Sequence, residues 1–130
     1  MTPEQFDSLV ERALARIPER FRKRLKNVAL IVEAEPSPAQ LAAAGVSRGG
    51  TLLGLYEGRP LPSRSVFESF AMPDRIIIFQ GPHERLARDA EHLEKMVQDT
   101  VWHEVAHYFG MDERRVREAE WRRRLRARRH

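Results

Sequence analysis

His103, Glu104 and His107 are the residues of this chain whose types and spacing are best suited to chemistry. The segment around them reads as helix, and residues four apart on a helix lie one turn above each other on the same face. Both imidazoles can then reach one Zn²⁺ while the carboxylate of Glu104 faces water at the metal, which is the working core of a metallohydrolase. The chain continues Tyr108-Phe109-Gly110-Met111-Asp112-Glu113, so the full pattern is H-E-x-x-H-x-x-G-x-x-E. A glycine three residues past the second histidine lets the chain turn sharply out of the helix, because glycine takes φ > 0 without a Cβ penalty. The residue three further on can swing back as a third ligand. Glu113 fits that spacing; Asp112 is the competitor, although Asp112-Glu113-Arg114-Arg115-Val116 reads as a new helix with Asp112 as its N-cap. Three protein ligands leave a fourth position for water, the mark of a catalytic site holding one Zn²⁺ per chain. Glu104 is then the general base. With no cysteine in the chain, a thiolate zinc site cannot be built.

The segment Asp99 to Glu113 resembles the small bacterial zincin-like metallopeptidases, or minimal zincins. Leu52-Leu53-Gly54-Leu55-Tyr56-Glu57-Gly58-Arg59-Pro60-Leu61 and Pro73-Asp74-Arg75-Ile76-Ile77-Ile78-Phe79-Gln80-Gly81-Pro82 resemble the same family. With the spacing between these stretches the resemblance covers residues 1–120. It implies a compact α+β domain, zinc on His103, His107 and the acidic residue at 113, and Glu104 as base. It implies no particular substrate.

Length and composition agree with one domain. A chain of 130 residues, 42% of them hydrophobic, can bury a working core but not two. No run of eighteen apolar residues and no leader-like amino terminus is present, so neither a membrane partner nor secretion is expected and the default address is cytoplasmic. The net charge of +4 is unevenly placed. Residues 121–130 read WRRRLRARRH, and without them 17 basic side chains face 19 acidic ones. We therefore divide the chain into a zincin-like domain, 1–120, and an arginine-rich tail, 121–130. The tail reads as the solvated end of an amphipathic helix running from Glu113, and it is the only expected route to nucleic acid.

The elements that must position the motif follow from periodicity and capping. Thr2-Pro3-Glu4-Gln5 is a capping box with proline at the first helical position, and Phe6, Leu9, Val10, Ala13, Leu14 and Ile17 follow at helical spacing. Pro18 interrupts, and a short helical piece carries Phe21 and Leu25. Residues 28–32 read as a buried strand, and Ser37 caps a short helix ending at Gly45. Residues 52–56 form a second strand weakened by Gly54, followed by loop from Gly58, with a further short strand expected within 62–72. Residues 75–79 form a third strand closed by Gly81-Pro82. From about Glu84 or Arg88 to Phe109, the residues Ala90, Leu93, Val97, Val101, Val105 and Tyr108 draw one apolar stripe, so the motif sits at the carboxyl end of a long buried helix.

The expected architecture is a small twisted mixed sheet packed on that helix, with flanking helices. By resemblance, an extended peptide would add to an edge strand beside the zinc, the edge being either the 75–79 or the 52–56 strand. Tyr56 and His83 are candidates to stabilise the oxyanion, against a structural role for each. No methionine follows residue 113, so the methionine turn of the metzincins is absent and Trp102 or Trp121 is left to support the site. Two functions stand: a zinc-dependent peptidase or amide hydrolase acting on a peptide or protein, or a weakly catalytic or non-catalytic zinc-stabilised scaffold binding a protein or nucleic-acid partner.

Overall fold

The computed structural model describes residues 1–47, 49–58 and 74–110. The expected α+β domain is what forms: among the described residues, a three-stranded sheet with helices packed on it. Helix α1 (Pro3–Ala15) starts at the expected capping box, Thr2 Oγ1 accepting from the Gln5 N–H and the Gln5 side chain accepting from Thr2 N–H. Pro18 ends that run and opens the one-turn α2 (Glu19–Arg22). Strand β1 (Val28–Glu33) follows, then α3 (Pro38–Ala43) behind its Ser37 capping box. Gly45 ends that segment at φ +71°, a conformation other residues reach only with strain.

Strand β2 (Gly54–Glu57) and strand β3 (Asp74–Phe79) complete the sheet in the order β1-β3-β2. β1 runs parallel to β3, and β2 antiparallel. Two expectations change here. Residues 28–32 have the continuous apolar pattern of a buried strand, yet among the described residues β1 pairs on one side only, and its residues are only half-buried, with Ala29 exposed. The fully buried strand is β3, where Ile76, Ile77, Ile78 and Phe79 are at most 1% exposed. Since both sides of β3 are hydrogen-bonded to neighbours, it cannot be the edge that receives a peptide. The expected short strand within 62–72 falls outside the described residues.

The third difference concerns the long helix. Instead of one helix starting near residue 84 or 88 there are two, α4 (Gln80–Leu86) and α5 (Ala90–Tyr108), separated by an extended Ala87. Gly81-Pro82 does not close the strand but sits in the first turn of α4, where proline's missing N–H costs nothing. α5 begins where Asp89 accepts a hydrogen bond from His92 N–H at 2.7 Å. The signal for this start is present in the sequence as an N-cap aspartate, but the apolar stripe running past it hides the break.

The core lies between α1, α5 and one face of the sheet. Phe6, Leu9, Val10 and Ala13 from α1 meet Leu93, Val97, Val101 and Val105 from α5, with Ile76 and Ile78 beneath them. Ala90, expected on the same stripe, is exposed at the helix start. Packing this face fixes the roll of α5 about its axis, and the roll decides where the motif points. Among the described residues no helix is long and apolar enough to cross a membrane.

Candidate metal centre and cleft

In the register of β2 on β3, Gly54 lies opposite Ile78 and Tyr56 opposite Ile76, so both face α5. α5 comes close enough there to require a glycine. A Cβ on Gly54 would lie 2.7 Å from Thr100 Cγ2 and 3.2 Å from Glu104 Cγ. Helix and strand thus press together at the turn that carries Glu104, whose side chain is wedged between them. Gly54, a weakness in the strand by propensity, is the residue that permits this contact.

On that face of α5 the two histidines lie one turn apart with ring centroids separated by 4.4 Å, both half-buried. One ligand atom from each of His103, Glu104 and His107 falls within 4.8 Å of the other two. Two nitrogens bound to one Zn²⁺ at tetrahedral geometry stand about 3.3 Å apart, a distance that small side-chain rotations reach from here. Glu104 is 6% exposed, and its Oε2 has no hydrogen-bond partner among the described residues. The nearest base, His107 Nδ1, is 3.7 Å away, too far for a hydrogen bond. A buried carboxylate oxygen without a donor is costly, so this donor set fits an added cation with its water. The other buried orphan, Trp102 Nε1, is a donor among apolar neighbours and offers a cation nothing.

The motif opens onto a cleft with two lobes. One, of about 450 Å³, is walled by Leu52, Leu53, Met96 and Thr100; the other, of about 540 Å³, is bordered by Tyr56, Gly58, His107 and Gly110. Leu52, Gly54, His103 and Glu104 border both lobes, so His103 and Glu104 sit at the saddle between them, with His107 in the second lobe. β2 runs alongside and, among the described residues, pairs on one side only. Of the two expected edges, the 52–56 segment is the one beside the cleft.

The remaining sequence candidates separate cleanly. His83 is fully buried away from the cleft, with Nδ1 2.7 Å from the Phe79 carbonyl and Nε2 2.9 Å from Thr100 Oγ1. Because the carbonyl can only accept, Nδ1 carries the proton. Burial pushes the ring's pKa below the ordinary histidine value, the Phe79 bond opposing it. This is a structural histidine. Tyr56 does border the cleft, but its hydroxyl donates to Asp74 Oδ2 at 2.8 Å, so its one proton is committed away from an oxyanion. Trp102 packs edge-on to Phe21 at 5.9 Å in the core, supporting the helix rather than lining the cleft. Gly110 takes φ +74° directly after the helix, as the motif requires of it. Glu113, Asp112, Trp121, the 120/121 boundary and the arginine tail lie outside the described residues. Sequence reasoning missed Thr100, whose hydroxyl meets His83 and whose methyl helps wall the cleft; an isolated threonine inside a helix carries no signal of either contact.

Comparison with known proteins agrees with this geometry. The model of the zincin-like metallopeptidase family matches residues 25–122, which span the whole sheet and the motif helix. Among solved structures, a conserved hypothetical protein from T. thermophilus is similar, at 30% identity and a TM-score of 0.56 over 84% of this chain and 94% of that one. A search of curated proteins finds no match. By motif, fold and family model alike, the chain belongs to the zincin-like metallopeptidase family.

Proposed function

We propose that the protein is a zinc-dependent hydrolase of peptide or amide bonds, with His103, His107 and Glu113 as metal ligands and Glu104 as general base. The observation that carries this reading is the Glu104 carboxylate, buried at the saddle of the cleft between two accessible imidazoles, with one oxygen lacking a donor among the described residues. Gly110 supports the assignment of Glu113, because a left-handed residue at the helix end ends the helix where the spacing of the motif needs a turn. Family membership supports zinc as the metal.

Zinc held there would supply Lewis acidity, bringing the pKa of water toward neutrality and polarising a carbonyl. The chain's own residues do the rest. His103 and His107 present their rings from one helix face, so only small side-chain rotations separate them from a shared ligand. Glu104, held in place by Gly54 and Thr100, accepts a proton from the attacking water and passes it to the leaving amine. An extended peptide paired along β2 would bring its scissile carbonyl to the saddle and its flanking side chains to the two lobes.

Replacing Glu104 by Gln tests the chemistry. Zinc content should stay near one per chain while hydrolysis falls by about 10²–10⁴-fold. Unchanged turnover, or no uptake of zinc by the wild-type protein, rules this mechanism out. The third ligand is tested by zinc titration of two variants. Glu113→Ala should weaken binding far more than Asp112→Ala, whose main cost is about 1 kcal/mol of helix capping. The reverse order would move the ligand to Asp112.

A further inference from the structure

The segment from the end of α1 through α2 is crowded with positive charge. Arg20, Arg22, Lys23, Arg24 and Lys26 occupy five of seven consecutive positions with no acid among them, and all five are exposed. Among the described residues none of them forms an ion pair; Arg20 lies over the Phe21 ring at 4.9 Å. The segment is pinned to the domain. Phe21 packs edge-on against Trp102 at 5.9 Å and Phe109 at 5.4 Å, and Leu25 rests on the core. These contacts hold the charges at the carboxyl end of α5, the end that carries His107. A helix terminus contributes about half a negative charge there, too little to balance five cations.

A short chain of contacts links this patch to the cleft. The Tyr108 hydroxyl reaches the Arg24 carbonyl at 3.4 Å, and the Tyr108 ring meets Tyr56 at 6.1 Å. Tyr56 in turn borders the lobe that holds His107 and Gly110. The patch and that lobe therefore lie at the same end of α5, and the lobe falls within the positive field of the patch. We infer that the 20–26 segment is a docking surface for an acidic stretch of polypeptide, held at the end of α5 that carries the His107 lobe of the cleft. Calling that polypeptide a substrate rests on the hydrolase reading; the docking does not.

The patch is poorly made for nucleic acid. α2 has four residues, too few to lie along a groove, and the large apolar side chains exposed among the described residues are Met1 and Leu86. Among those residues no exposed aromatic ring is presented for stacking on a base, which single-strand binders need. Carboxylates spaced along an extended peptide need only the field and flexible cations.

The test uses full-length Glu104→Gln protein, so that binding is read without cleavage, and a fluorescein-labelled peptide of about twelve residues with alternating Glu and Ala, followed by anisotropy. Binding should weaken about tenfold or more when ionic strength rises from about 0.05 to about 0.3 M. It should also fall at least about tenfold when all five bases are changed to Glu, a loss set by reversing the sign of the field. In a control with Arg122, Arg123, Arg124, Arg126, Arg128 and Arg129 changed to Gln, binding should hold within about twofold. Circular dichroism checks the fold of each variant, and Arg22→Gln with Lys23→Gln serves as a milder pair if the five-fold change unfolds the domain. Binding that survives removal of these bases, that disappears only with the tail arginines, or that is weaker than binding of an RNA of equal charge overturns the proposal. Retained peptide binding in a protein whose wild type never hydrolyses a bond would leave the surface standing and remove the hydrolase.

Discussion

The packing between α4 and α5 and the saddle of the cleft each bury one titratable side chain, and the fold treats the two in opposite ways. His83 is 0% exposed with both ring nitrogens in hydrogen-bonding contact, whereas Glu104 is 6% exposed with one oxygen that no donor among the described residues meets. Their neighbours link them. Thr100 touches His83 through its hydroxyl and walls the cleft with its methyl, one turn before Glu104. A buried polar group in hydrogen-bonding contact on every side specifies structure; a buried acceptor left open at a cleft carries a cost that an added ligand can remove.

Three measurements can break or sharpen this contrast. The largest effect is expected at His83. His83→Leu keeps the volume but strands the Phe79 carbonyl, Thr100 Oγ1 keeping the Met96 carbonyl as its acceptor, so it should cost about 2–3 kcal/mol in urea unfolding, with zinc uptake retained below the melting range. A change under about 0.5 kcal/mol would show that the histidine's bonds are idle.

Glu104→Leu should have the opposite sign. In chelator-treated protein it removes a buried oxygen that has no donor and should raise stability by about 1–2 kcal/mol while abolishing hydrolysis. If it destabilised the metal-free protein as strongly as His83→Leu, the carboxylate would be a structural group and the contrast would fail.

The smallest effect is the pH dependence of His83. Its folded-state pKa lies below the ordinary value of 6.5. Above 6.5 the ring is neutral in both the folded and the unfolded chain, so its full contribution is present. As pH falls below 6.5 the unfolded chain takes up a proton that the native state resists, and stability drops by up to about 1.4 kcal/mol per pH unit until the buried ring protonates. Urea midpoints compared across that window should show this slope in the wild type and lose it in His83→Leu. An identical slope in both would assign the acid sensitivity to other groups.

The edge strands show where reading from sequence succeeds and where it stops. The capping boxes at Thr2 and Ser37, the turn at Gly45 and the helical character of the motif are all legible, because each depends on residues within one or two turns of each other. The break at Asp89 is masked because the apolar stripe of α5 runs on past its cap. That β1 is an edge and β3 the centre is not legible, since both are continuous apolar runs and only their pairing separates them. His83 looks like a candidate for chemistry for the same reason: a lone histidine in a helix carries no mark of the Thr100 it will meet seventeen residues later.

By itself the sequence determined the face that carries both histidines, because the four-residue spacing of His103 and His107 needs only a helix to bring the two rings together. The tertiary structure alone decided what that face looks onto. Packing α1 against Leu93, Val97, Val101 and Val105 set the roll of α5, and the antiparallel pairing of β2 with β3 brought Gly54 under Glu104. Both depend on contacts between residues far apart in the chain, which no local pattern records, and together they turn a helical motif into a buried carboxylate at the saddle of a cleft.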